Sequence, residues 1–181
     1  MVAIVKHTIK DYMKLPEGSK YQLLNGNIVE MPSPTEIHQA IIFHLSYLLA
    51  GFLIKNPIGI ARFAPLDVIL DEENVLQPDL LFIANENKHI IKERIEGAPD
   101  FVVDVLSPTT AYYDWEEKME IYAKFGVKEY WIINPHKQYI ELYDLKEGKF
   151  EKREKLVYTG LVKSKVIKEF EFELKEIFKI C

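Results

Sequence analysis

Two continuous apolar runs, each carrying one carboxylate, dictate how this chain can fold. Asp79 follows Gln77 and Pro78 and opens the run Leu80, Leu81, Phe82, Ile83 and Ala84. Asp104 lies inside a second run, Phe101, Val102, Val103, Val105 and Leu106, which breaks at Ser107 and Pro108. Short runs without polar alternation describe strands covered on both faces, so layers must flank a central sheet on each side. Pro99 and Pro108 bound the second strand at about seven residues, which puts Asp104 near its middle or last third. An acid in such a strand is costly unless something pairs with it.

The segment after Pro108 reads as a helix, with Thr109, Thr110 or Asp114 as N-cap and Gly126 as stop. Steps of about 100° per residue gather Ala111, Trp115, Met119, Ile121, Tyr122 and Phe125 on one arc and Glu116, Glu117, Glu120 and Lys124 on the other. Lys118 falls in the middle of the apolar arc. One reading has its stem snorkelling over the core while its ammonium pairs with Asp114 one turn earlier. The other has it serving a site with bound anions, where an ammonium stabilises developing negative charge.

Asn25-Gly26 between apolar runs marks a hairpin over residues 21–31, which leaves Glu30 near the far end of its second strand. Pro32 and Pro34 stop that strand, and Thr35 caps a long helix, Glu36–Lys55. His38 projects into that helix's apolar arc, in its first turn, as either a satisfied core residue or a ligand. Residues 59–70 read as one strand, followed by a polar turn at Asp71, Glu72, Glu73 and Asn74 and then by the Asp79 strand, its antiparallel partner. Asp67 alternates with Leu66 and Val68 and is expected to face the same side as the Asp79 and Asp104 carboxylates. Residues 85–97 form a polar helix or excursion. Strands follow at 128–135, 138–145, 150–158 and 166–172. The order describes an α/β fold with a mixed sheet, in which residues 101–133 make a right-handed crossover if their strands are parallel.

Residues 1–181 are expected to form a single domain with a substantial core, since 48% of the residues are hydrophobic. Neither a leader nor an apolar run approaching the roughly 20 residues of a membrane span is read, so a cytoplasmic protein with no membrane partner is expected. The single cysteine, Cys181, excludes a disulfide framework and thiolate zinc clusters. A metal would have oxygen ligands, with a histidine as a possible addition. A net charge of −5 argues against a general nucleic-acid coat protein but not against an enzyme that meets nucleic acid locally. Late basic residues, Lys152, Arg153, Lys155, Lys163, Lys165 and Lys168, alternate with glutamates and read as a solvated strand face.

Pro78-Asp79, residues 102–108, Asp114, Lys118, Tyr122-Ala123 and residues 126–131 closely resemble the Uma-two family of restriction endonucleases, as do residues 21–26, Pro32, Pro34 and His38. The resemblance covers nearly the whole chain. It implies the PD-(D/E)xK nuclease superfamily: a restriction endonuclease-like core, with a mixed β-sheet flanked by helices and additional N- and C-terminal β-hairpins. It further implies hydrolysis of phosphodiester bonds in nucleic acid, DNA in the first place, dependent on magnesium with manganese as a substitute. Asp79 and Asp104 would be the metal carboxylates, joined by the Val105 carbonyl, and Lys118 the catalytic lysine. Glu30 or His38 would orient a second ion or a water. The chain departs from the pattern in three places. Leu106 stands where the superfamily's lysine usually lies, so Lys118 must reach in from the helix. Asp104 and Gln22 stand where the family commonly has Glu. A homodimer would suit cleavage of both strands of a duplex. Two alternatives remain: an inactive nucleic-acid-binding module that retains the fold, and a sugar hydrolase using Asp79 and Asp104 as acid and base.

Overall fold

The computed structural model describes residues 6–16, 20–107 and 116–179. In chain order its elements are α1 (Ile9–Tyr12), β1 (Tyr21–Leu24), β2 (Asn27–Glu30), α2 (Glu36–Lys55), β3 (Gly59–Phe63), β4 (Val68–Asp71), β5 (Asn74–Leu76), β6 (Leu80–Ala84), β7 (Ile95–Glu96), β8 (Phe101–Val105), α3 (Lys118–Lys124), β9 (Glu129–Asn134), β10 (Tyr139–Lys146), β11 (Lys149–Val157), β12 (Leu161–Lys163) and β13 (Glu171–Glu173). A six-stranded sheet, in the order β11-β10-β9-β8-β6-β3, forms the centre. Its β8–β9 pair is parallel and its other pairs are antiparallel, so the sheet is mixed as expected.

Both faces of this sheet are covered over β6, β8 and β9, which is why those strands carry no polar alternation, while the edge strand β11 is largely exposed and polar. On one face Leu80, Phe82, Phe101, Val103 and Trp131 pack against Ile41, Leu45 and Leu49 of α2 and against the C-terminal Phe170, Phe172 and Leu174. On the other, Leu81, Ile83, Val102, Tyr130 and Ile132 meet α3 through Ile121 and Tyr122, and meet Leu24, Val68 and Leu76 of a second, five-stranded sheet. Burying the Ile41, Leu45 and Leu49 stripe alone contributes roughly 5–9 kcal/mol.

Local sequence explains the helix and the hairpin that flank the site. Thr35 Oγ1 accepts a hydrogen bond from His38 N, and Glu36 favours the positive end of the α2 dipole. Asn56 closes the other end through its side-chain and backbone bonds to Phe52 O, and Pro57 follows. Asn25 (φ 49°) and Gly26 (φ 79°) supply the two positive φ values of a tight hairpin turn between β1 and β2.

Several expectations need correction. Residues 59–70 are two strands in two sheets, because Pro65, which has no N–H to give a ladder, separates β3 from β4. β3 pairs with β6 as expected, but β4 pairs with β5, a strand too short to read from its pattern. Strand 166–172 is instead the short β13, paired with β12, because Ile167 and Phe170 turn inward as core residues. The late basic residues are not a simply solvated face: Arg153 pairs with Glu129 and Asp144, and Lys152 and Lys155 with Glu141. Glu129 and Glu141 are fully buried. Finally, α2 is long and apolar enough by length and composition to cross a membrane. Its inner stripe lies in the core, while Phe43, Tyr47 and Ile54 on its outer side are exposed.

Candidate active site

Antiparallel pairing brings the two carboxylates to one end of the sheet, because β6 begins where β8 ends. The last paired residues are Leu80 and Val103, so one further step sets Asp79 opposite Asp104. Asp79 sits just outside β6, where its carbonyl accepts a hydrogen bond from Ala64 N. Its Oδ2 accepts one from Val105 N at 2.7 Å and lies 3.1 Å from His38 Nε2. Oδ1 has no hydrogen-bond partner among the described residues.

Asp104 shares a sheet face with Val102 and Ile132 and is 1% exposed. Lys118, the first residue of α3, places Nζ 2.9 Å from its Oδ1. Tyr130 OH donates to Oδ2 at 2.9 Å. Lys118 is 2% exposed, so both charges have left bulk water. Desolvation of that kind costs several kcal/mol per ion, and close contact with added hydrogen bonds offsets it. The apolar-arc placement of Lys118 is therefore met by a buried ion pair with Asp104. Ala111, Trp115 and the residues proposed as N-caps, Asp114 among them, lie outside the described residues. Glu117 is half-buried rather than on an opposite solvated arc, since a wider π-helical turn at 116–117 shifts the 100° spacing. Burial, then the Glu120 and Glu116 charges, raises its pKa.

A cleft of about 770 Å³ opens beside these groups, and Asp79, His38, Val105, Ser107 and Lys118 line it. A second polar cluster lines the same cleft. Asp67 Oδ1 accepts from Gln77 Nε2 at 2.8 Å and lies 2.9 Å from Tyr12 OH, while Arg94 Nε donates to Oδ2 at 3.1 Å. Burial, followed by the Asp67 charge, raises the Tyr12 pKa, so the phenol remains a donor at neutral pH. Gln22 is buried and accepts from Gln77 N through Oε1.

The structure thus brings Asp79, Asp104, Lys118, His38 and Val105 together. Glu30 is exposed at the end of β2, opposite Tyr21, and does not line the cleft. Tyr130, Arg94 and Gln77 had not been singled out as site residues. Tyr130 was findable: parallel pairing of β8 and β9 sets it against Val102, on the Asp104 face. Arg94 was not, because a charged excursion gives no register. Trp131 is fully buried in the core.

The donor set suits a hard cation that keeps most of its waters. No group of three His, Cys, Asp or Glu able to hold a metal occurs among the described residues. Magnesium, however, is commonly held by one or two carboxylates together with substrate phosphate. Asp79, with Oδ1 unengaged and 19% of its side chain exposed, meets that requirement, whereas Asp104 is buried behind the cleft lining with its oxygens bonded by Lys118 and Tyr130.

No match was found among curated proteins. Among solved structures, the fold resembles the crystal structure of a "putative nuclease belonging to DUF820" from Anabaena variabilis ATCC 29413, with a TM-score of 0.80 and 21% sequence identity over 94% of this chain and 97% of that one. The model of the Uma2 family, described as "putative restriction endonuclease", matches residues 9–175, and the chain belongs to that family.

Proposed function

We propose that this protein is a divalent-cation-dependent endonuclease hydrolysing phosphodiester bonds of nucleic acid, DNA foremost, at Asp79, Asp104 and Lys118. The observation that carries the reading is the Lys118 Nζ–Asp104 contact of 2.9 Å, one strand step from Asp79 at the mouth of a cleft. Asp79 and Asp104, with the Val105 carbonyl, would hold magnesium or manganese, which supplies Lewis acidity and a bound water of lowered pKa. Hydrolysis adds the water oxygen to phosphorus, breaks one phosphorus–oxygen ester bond and leaves a phosphomonoester and a hydroxyl. Lys118 stabilises the extra negative charge on the phosphoryl oxygens during that exchange. His38, with Nε2 3.1 Å from Asp79 Oδ2, donates to that carboxylate and fixes its orientation.

One observation favours a second reading, a nucleic-acid-binding module without turnover: both Asp104 oxygens are engaged, by Lys118 and Tyr130. Calorimetric titration of magnesium and manganese, followed by plasmid and single-strand cleavage with the same ions, separates the two. Binding and cleavage that both vanish in Asp79→Asn support the endonuclease. Binding without cleavage supports the module, and absence of binding refutes the metal site.

A further inference from the structure

We propose, building on the phosphodiesterase reading of the site, that the cleft takes a single unpaired nucleotide, so that the substrate is a single strand or an extrahelical position rather than an intact duplex. At about 770 Å³ the cleft falls among small-molecule sites. Its walls include Met13, Pro16, Met31, Pro34, Pro65 and Leu66, an apolar lining of the kind that can enclose an unstacked base. Gln77 belongs to the Asp67–Arg94 cluster and lies two residues before Asp79, so their Cα atoms are at most about 7 Å apart. A nucleotide whose phosphate meets Asp79 therefore reaches that cluster with its base or sugar. Arg94 has its Nε on Asp67, which fixes the guanidinium plane, and its terminal N–H groups have no partner among the described residues. That is a preset donor pair for a base edge.

Charge distribution argues the same way. Duplex binding draws its affinity from cations that neutralise many phosphates. The late basic residues Lys152, Arg153, Lys155 and Lys165 do not line the cleft and are paired with Glu141, Glu129 and Asp144 of their own chain. In the cleft, Lys20, Arg94 and Lys118 share the lining with Asp67, Asp79 and Glu93, so among the described residues the lining is mixed in charge rather than cationic.

The test uses one 30-nucleotide DNA sequence in three forms: single strand, perfect duplex and duplex with a one-nucleotide bulge. Binding is read by fluorescence anisotropy in calcium and cleavage in magnesium or manganese, with bis(p-nitrophenyl) phosphate as a substrate that has no base. Single-strand and bulged forms are expected to bind and react at least tenfold better than the perfect duplex. In Arg94→Met, the ratio of single-strand to bis(p-nitrophenyl) phosphate activity should fall about tenfold, a readout independent of the folded fraction. A perfect duplex bound or cut as well as the single strand overturns the proposal, as does absence of binding to all three. Failure to hydrolyse bis(p-nitrophenyl) phosphate counts against the phosphodiesterase reading instead, and the anisotropy order then decides strand preference by itself.

Discussion

Replacing Lys118 by methionine keeps the stem and removes the ammonium from a carboxylate that is 1% exposed. With Nζ 2.9 Å from Asp104 Oδ1, the loss of one member of a buried ion pair costs about 3–5 kcal/mol. For a chain of this size that lowers the melting temperature by roughly 6–20 °C. Asp104→Asn in the native background leaves an ammonium in the same apolar surroundings and costs a similar amount. The double variant Asp104→Asn, Lys118→Met buries no net charge, so its stability should lie well above the sum of the two losses, by at least about 2 kcal/mol of coupling. Urea unfolding of all four proteins, followed by tryptophan fluorescence, gives the cycle directly. Nuclease activity should be absent from all three variants, which separates the chemical role of the pair from its structural one. Additive losses, or a Lys118→Met variant as stable as the native protein, would refute the argument that these charges are buried together. Full cleavage activity in Lys118→Met would remove the lysine from the mechanism.

Tyr130→Phe removes one hydrogen bond to the same carboxylate and should cost about 1.5–3 kcal/mol by urea denaturation, the range for bonds to charged groups. Asp79→Asn should abolish magnesium and manganese binding in calorimetry while moving the melting temperature by only a few degrees, because its side chain is partly exposed and the amide oxygen still accepts from Val105 N. Glu141 should contribute to an acid transition. Burial raises its pKa, but bonds from Lys152, Tyr143 and Lys155 outweigh this and leave it net lowered. Its contribution is therefore present above the unfolded carboxyl value of about 4.3 and is lost as pH falls through the folded one. Glu141→Gln should make stability measured below about pH 4 less steeply dependent on pH.

The central sheet was legible because burial on both faces leaves a mark in sequence: continuous apolar runs at 80–84 and 101–106, with prolines at their edges. The acids stood out for the same reason, as charges where none is cheap. What could not be read was the division of residues 59–70 between two sheets. Pairing partners are chosen by the whole fold, and β5 contributes only three residues. The late basic cluster was misread because its partners, Glu129, Glu141 and Asp144, lie on two other strands, hidden among strand positions that look ordinary. Arg94 reaches Asp67 across a separation of 27 residues from a segment whose local pattern signals only polarity.

Topology also explains why a lysine on a helix can stand beside a strand carboxylate. Side chains two apart on β8 share a face, so position 106 continues the face of Asp104, and Leu106 there packs into the same cluster as Val102 and Ile132. The chain then leaves the sheet and returns through α3 to β9, which lies parallel to β8 and hydrogen-bonds to it. A parallel return requires a crossover above one face, and α3 packs Ile121 and Tyr122 on the Asp104 face rather than the α2 face. Any residue on the inner side of the first turn of α3 is thereby aimed at the end of β8. Lys118 is that residue, and its long stem spans the layer that Leu106 leaves apolar. The ammonium arrives from above the sheet instead of from within it, and the sheet face beneath keeps its packing.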